Sequence, residues 1–454
     1  MTRLRRPGKA SLLVLPLLLV AIFASAEERH VVMISVDALR PEFYLDPASV
    51  GAKAPNLVAL RDEGACVEAV ESVFPSVTYP NHASLVTGVR PARHGILANT
   101  VFLAPKSPTW YVAASMFKVP TLWDRAKGAG LTVAAIHWPT SEGAKIDFLV
   151  PEPDYRPRDQ EGMWKETLEG MRPEGFLQKV EARFGKVDPR QLDEARLDQL
   201  ITTAACVAIE EGKPGLVLVH LLEVDGAQHE HGREGAEVIA ALQAVDGCVG
   251  RIRESIAKAG IAATTTIVLC GDHGFMTVRG GFRPNAALKK AGLSGARRGA
   301  KGWKVRAHTS GNQAEIYVED PKDQALIDAA WKAIEEASTK AGKKLVRMLS
   351  RKELDEMGTC PGAAFAVAGE DGVSVEGDSS EPAWKEYASP KGNHGSLPTF
   401  PQLHTGLILA GRGVKKRARL QTARVIDVAP TAARLLGIEM PDVDGHALDE
   451  LIEP

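Results

Sequence analysis

No two of the five cysteines (Cys66, Cys206, Cys248, Cys270 and Cys360) stand in a CxxC spacing. That excludes a zinc ribbon and a thioredoxin-type redox motif. In an exported chain five cysteines allow two disulfides and one thiol, with the connectivity open. Cys270 sits in an apolar strand-like run and reads as a buried small hydrophobe. Charge of one sign is also lacking. The formal net charge is −2 over 454 residues, so neither the basic stripe that duplex nucleic acid requires nor an acidic tail is present. There are no internal repeats and no low-complexity tracts. Past Phe23 no apolar run approaches the roughly 20 residues of a bilayer span.

What is present begins with the N-terminus. Arg3, Arg5, Arg6 and Lys9 precede an apolar run from Ser11 to Phe23, and Ala24-Ser25-Ala26 follows. This order reads as a secretory signal peptide cleaved after Ala26, giving a periplasmic or secreted protein with no membrane attachment. The run is short for a span, and no cysteine near the cleavage point offers a lipid anchor. The rest is ordinary globular composition, 44% hydrophobic and 25% charged.

Strand-like and helical patterns alternate along the chain. His30–Val36, Leu131–His137, Leu216–Leu222 and Thr264–Leu269 are short apolar runs. Helical patterns lie at 56–63, 120–127, within 163–213, at 237–258 and at 425–436. This rhythm predicts an α/β fold, a mostly parallel central sheet with helices on both faces. From 279 to 391 the rhythm changes, starting basic (Arg297, Arg298, Lys301, Lys304). We read this stretch as an inserted smaller α/β subdomain. Residues 27–278 and 392–454 then form the main domain, whose sheet resumes at Gly406–Ala410.

In parallel sheets ligands bind beyond the carboxyl ends of the strands. Asp37, Asp225, Asp272 and His273 all fall just past such ends. Asp225 and His229 have D-x-x-x-H spacing, which puts both on one face of a helical turn. Asp272-His273 and His394 lie in glycine-flanked loops, where backbone can approach a ligand closely. Mixed Asp/His donors suit zinc better than magnesium or calcium, and two adjacent ions would clamp both oxygens of a phosphoryl transfer. The stretch Phe74–Asn99 (FPSVTYPNHASLVTGVRPARHGILAN) reads as a loop opening into a helix with Thr78 at its start. Helix N-termini seat phosphate oxygens, although Thr78 also fits a plain N-terminal cap. His82, His94, His137, His220, His231, His308 and His404 read as structural.

These motifs resemble those of the nucleotide pyrophosphatase/phosphodiesterases of the alkaline phosphatase superfamily. ISVDALRP, FPSVTYPNHASLVTG with RHGILAN, D-x-x-x-H-x-x-G, GDHGF and GNHGS occur in the family's order. The resemblance runs from about His30 to the helix holding Asp427-Val428-Ala429-Pro430, in the compact bacterial form. It implies an alkaline-phosphatase-like fold and two zinc ions. Asp225, His229 and His394 would hold one; Asp37, Thr78, Asp272 and His273 would hold the other. It further implies Thr78 as the nucleophile, with a phospho-threonine intermediate. Asn99 and the Thr78 N–H would bind a phosphoryl oxygen, and Tyr79 would stack on a nucleobase of a small-molecule phosphodiester or nucleotide. Monoesterases of the superfamily carry a Lys-x-Arg pair where this chain reads His137-Trp138-Pro139-Thr140, which favours a diester. A monoesterase or phosphonate hydrolase on the same scaffold is the competing enzyme reading. A non-catalytic metal-binding exported protein is the remaining alternative, and the presence of Thr78 and all six other donors argues against it.

Overall fold

In a computed structural model the described residues are 28–102, 109–155, 159–294, 304–340 and 343–454. The signal peptide expected at 1–26, and Arg297, Arg298 and Lys301, lie outside them. No helix among the described residues is long and apolar enough to cross a membrane.

Eight strands build the main sheet: β1 (His30–Val36), β2 (Ala65–Glu71), β3 (Val133–Ile136), β4 (Phe148–Val150), β5 (Leu216–Leu221), β6 (Thr265–Cys270), β7 (Thr405–Gly411) and β8 (Ala418–Arg424). Their order is β8-β2-β7-β6-β1-β5-β3-β4. Every pairing is parallel except those of β7, which runs antiparallel to both β6 and β2. The chain enters β7 at the carboxyl end of β6, where Gly271 N–H donates to the Gly406 carbonyl. It therefore has to run back down the sheet.

β1 is central and buried throughout. Successive side chains of a strand point to opposite faces. Val32, Ile34 and Val36 join one apolar core, and Val31 and Met33 join the other. Covering both faces explains why the strand sequences are continuous apolar runs without alternation. The helices that matter below are α1 (Thr78–Thr87), α2 (Gln160–Gly170), α3 (Phe176–Phe184), α4 (Glu194–Gly212), α5 (Glu223–His231), α6 (Ala236–Lys258) and α7 (Val428–Leu436). α4 and α6 cover the first face, and α7 covers the second. The last helix starts at Val428 rather than Val425, because Val425–Asp427 form a 3₁₀ turn.

The stretch 279–391 contributes a four-stranded antiparallel sheet from Val305–Thr309, Gln313–Val318, Val346–Leu349 and Phe365–Gly369. It also shares a three-stranded sheet in which Met276–Phe282 pairs with Val373–Val375 and Trp384–Asn393. The disulfides that five cysteines allow do not form. All five are free and buried, each packed into an apolar cluster.

Candidate active site and metal centre

The register fixes the site. Val36 pairs with Leu221 and Ser35 with Cys270, so β1, β5 and β6 end at one level. Asp37, the start of α5 and Asp272 thereby meet at one edge. α5 begins directly after β5, and its first two N–H groups are held by a residue far from the turn. Asp198, fully buried on α4, accepts from Leu222 N–H at 2.8 Å and Glu223 N–H at 3.1 Å. With the helix start fixed, Asp225 and His229 share a face, Nε2 to Oδ2 at 3.4 Å.

Two donor clusters result. In the first, His394 Nε2 lies 3.1 Å from His229 Nε2 and 3.7 Å from Asp225 Oδ1. His394 Nδ1 donates to the Ser76 carbonyl at 2.9 Å, which turns the Nε2 lone pair toward His229. The two imidazole nitrogens can share one proton in a hydrogen bond or, with both lone pairs turned inward, present two nitrogen donors to one cation. In the second cluster His273 Nε2 is 3.3 Å from Asp37 Oδ1 and 3.2 Å from Asp272 Oδ2. Here Nδ1 donates to the Gly274 carbonyl at 3.1 Å, again presenting the Nε2 lone pair inward. Ligating histidines are characteristically oriented through their other ring nitrogen in this way. Donor atoms of Asp225, His229 and His394, and those of Asp37, Asp225 and His273, lie within 4.8 Å of one another.

The electrostatics point the same way. Burial, together with the Asp272 and Asp225 charges, pushes the Asp37 carboxyl well above the usual carboxylate range. Burial pushes Asp272 up to about 8 and His394 down to about 4, and holds His273 well below the ordinary imidazole value. Asp37 Oδ1, Asp225 Oδ1, Asp272 Oδ2 and His273 Nε2 are buried without a hydrogen-bond partner. Unpartnered buried carboxyl oxygens and neutral imidazoles converging on one space fit divalent metal ions with N/O ligands, whose charge would favour the ionised carboxylates.

Thr78 is the first residue of α1, and the capping position before it is held by an extended Val77. The plain-cap reading therefore fails, because position N1 lies inside the helix and the capping position is Val77. Asn81 pins the loop below it, accepting from Val73 N–H at 2.7 Å and donating to the Val77 carbonyl at 2.8 Å. Asn99 reaches the same helix start, its Oδ1 accepting from Tyr79 N–H at 3.1 Å. That bond directs its amide N–H₂ away from the backbone. A helix N-terminus leaves the Thr78 N–H without an intrahelical acceptor. Thr78, Asn99, Asp37, Asp225, His229 and His394 line a single cavity of about 500 Å³. Asp272 and His273 lie beneath it, fully buried. Tyr79 touches the cavity but is only 1% exposed. Its ring leans on half-buried Trp110, centroids 5.4 Å apart.

Sequence reasoning missed a layer of histidines behind the donors. His220 Nε2 lies 3.2 Å from Asp37 Oδ2, and His82 Nδ1 lies 2.9 Å from the Thr78 carbonyl and 3.5 Å from Asp272 Oδ2. His137 lines the cavity. A histidine inside the apolar strand LVLVHL was the available signal. The tip of the hairpin Val305–Val318 was also not foreseen. Ser310 Oγ accepts from Asn99 N–H at 3.3 Å, and Asn312 N–H donates to the His394 carbonyl at 2.6 Å. One turn of the 279–391 stretch thus grips both the Asn99 loop and the His394 loop.

Comparison with known proteins identifies the family and the fold. The family model "Type I phosphodiesterase / nucleotide pyrophosphatase" matches residues 31–397. The ectonucleotide pyrophosphatase/phosphodiesterase family member 1 of Rattus norvegicus is 28% identical over 251 residues, 55% of this chain and 24% of that protein. Venom phosphodiesterase 2 of Crotalus adamanteus is 23% identical over 257 residues, 55% of this chain and 27% of that protein. The matched segment thus spans about a quarter of these relatives. The structure of human ectonucleotide pyrophosphatase/phosphodiesterase 5 superposes with a TM-score of 0.68 at 17% identity, covering 94% of this chain and all of that one. The inactive murine counterpart in complex with AMP gives 0.65 at 18% identity, with the same coverage. With a family model matching from β1 through the His394 loop and a shared fold across nearly the whole chain, this protein belongs to the type I phosphodiesterase/nucleotide pyrophosphatase family.

Proposed function

We propose that the chain is a zinc-dependent phosphodiesterase that acts after export, as the N-terminal pattern at 1–26 suggests. The observation that carries the reading is the convergence of Thr78, Asn99 and the two Asp/His clusters on one cavity. Asp225, His229 and His394 would hold one zinc ion, and Asp37, Thr78, Asp272 and His273 the other. Bound there, the ions supply the positive charge that makes a hydroxyl nucleophilic at neutral pH and that offsets charge on the departing oxygen.

The chain's own residues do the rest. Thr78 Oγ forms a bond to phosphorus as the opposite P–O bond breaks and the leaving oxygen takes a proton. Water then cleaves the Thr78 phosphoester, giving a monoester and the free hydroxyl. The Asn99 amide N–H₂ and the Thr78 N–H donate to the non-bridging oxygens, the fixed-donor arrangement that stabilises developing charge. His273 and His394 are turned by the Gly274 and Ser76 carbonyls, so the donor geometry is set before substrate arrives.

His137 supports a diester over a monoester. It stands where a monoesterase carries cations and lines the cavity, and burial pushes its imidazole down to about 3. It is neutral at working pH, and a neutral wall suits one phosphate charge rather than two. The test is turnover of bis(4-nitrophenyl) phosphate and 4-nitrophenyl phosphate, with chelator and with zinc restored. Diester preference, sensitivity to chelation and loss of turnover in Thr78→Ala at about two zinc per chain are expected. Monoester preference or an active Thr78→Ala protein overturns the reading.

A further inference from the structure

The hairpin of Val305–Thr309 and Gln313–Val318 has two faces of different chemistry. Val305, Ala314, Ile316 and Val318 point into the apolar core of the 279–391 stretch, and the alternate residues His308, Glu315 and Tyr317 point the other way. A polar face of an antiparallel sheet ordinarily meets water. This one is covered: Glu315 is 1% exposed and His308 9%. Burying a carboxyl group is costly unless it is hydrogen-bonded, and Glu315 is bonded at both oxygens. Oε1 accepts from the Cys360 thiol at 3.1 Å, and Oε2 accepts from the Tyr317 hydroxyl. Burial and the Glu315 charge hold the thiol and the phenol above their ordinary values, so both stay protonated donors.

The segment that covers this face is the one that carries Asn99. Thr100 Oγ1 lies 3.1 Å from His308 Nε2, and Phe102 stacks on Tyr317 with ring centroids 3.8 Å apart. Asn99 itself donates its N–H to Ser310 Oγ at 3.3 Å and accepts from Tyr111 N–H at 3.2 Å. His308 stands between Thr100 and Glu315. It faces Glu315 directly across the ladder, with Nδ1 3.7 Å from Oε2. The carboxylate draws the ring proton to Nδ1, which leaves the Nε2 lone pair to accept the Thr100 hydroxyl proton. We infer that His308, held by Glu315, is a positioning residue for phosphoryl transfer: through Thr100 it fixes the backbone from which the Asn99 amide reaches the phosphoryl oxygen; this rests on the phosphodiesterase reading above. A donor that stabilises developing charge is effective only where it is already in place. A misplacement of about 1 Å can cost about 100-fold in rate.

The test is a double-mutant cycle on zinc-loaded protein. His308→Leu and the near-isosteric Thr100→Val each remove the bond from one side, and His308→Gln keeps an acceptor for Thr100. With bis(4-nitrophenyl) phosphate, His308→Leu and Thr100→Val each lower kcat about 10–100-fold, at nearly unchanged KM and unchanged zinc per chain. His308→Gln recovers most of that loss. Asn99→Ala lowers kcat about 100–1,000-fold. Because His308 acts through Asn99, adding His308→Leu to Asn99→Ala costs less than about threefold more, whereas independent sites multiply. Calorimetry with orthovanadate runs the same cycle without turnover: each single variant weakens binding, and the double variant binds no more weakly than Asn99→Ala. Multiplying effects in either readout, or equal losses in His308→Gln and His308→Leu, overturn the inference. Such results with live diester turnover by the native enzyme refute the positioning role alone. Absent native turnover with a coupled vanadate cycle refutes the enzyme reading and leaves His308 positioning an oxyanion site.

Discussion

Removing the Asp198 carboxylate tests how the metal site is built. Asp198 is fully buried and its two oxygens separately accept the Leu222 and Glu223 N–H groups that open α5. Asp198→Ala leaves both donors without an acceptor at the foot of the helix that carries Asp225 and His229. An unsatisfied buried donor costs about 1–3 kcal/mol, and Asp198→Ala leaves two of them. The expected loss is therefore about 2–6 kcal/mol, toward the lower end if water enters the gap. Asp198→Asn keeps one acceptor oxygen and should lose about half as much. Urea unfolding reads this as a lower midpoint at unchanged m. A zinc competition titration reads the second effect, because fraying at Leu222–Glu223 disorders the Asp225–His229 pair. Outer groups that orient ligands typically carry about 10–100-fold in affinity. If the alanine and asparagine proteins both unfold within about 0.5 kcal/mol of wild type and bind zinc equally well, Asp198 does not hold the helix.

Other outcomes follow from the same geometry. Gly311 has φ +61°, and a Cβ there would meet the His394 carbonyl oxygen at 2.5 Å and Val77 Cγ1 at 2.9 Å. Gly311→Ala should cost at least about 1–2 kcal/mol from left-handed backbone alone and weaken zinc binding by displacing the His394 loop; unchanged affinity would show that the hairpin tip is not a clamp. Glu152 is buried in the cavity wall, and burial pushes its carboxyl from 4.5 up to about 8, with the Tyr79 and Tyr155 hydroxyls pulling partly back. Between those values the folded state binds more protons than the unfolded one, so stability falls as pH rises through that window, by about 5 kcal/mol at most. Glu152→Gln should therefore match wild type near pH 5 and exceed it above pH 8 in thermal unfolding; parallel curves at all pH values would refute the assignment.

What the sequence determined by itself is the set of candidate site residues and the sheet edge on which the structure brings them together. Asp37, Asp225 and Asp272 follow apolar runs, and a parallel sheet brings the ends of such runs to one level whatever the loops do. The D-x-x-x-H spacing needs only helical periodicity, and the glycine-flanked Asp272-His273 and His394 announce themselves locally. Tertiary structure alone decided what lies behind and beside them. Asp198 caps a helix 24 residues away, Ser310 reaches Asn99 across 211 residues, and His220 supports Asp37 from a neighbouring strand. A histidine in an apolar strand is the one local mark, at His220; nothing local marks Asp198 or Ser310, because each contact depends on which elements pack side by side. The apolar side of the cavity was illegible for the same reason. Helical patterning within 163–213 says nothing of a cavity, and only the way α2, α3 and α4 are arranged leaves a space lined by Met163, Leu177 and Leu197. The five cysteines make the converse case: composition permits disulfides, but pairing requires two sulfurs to meet, and the fold keeps all five apart in its cores.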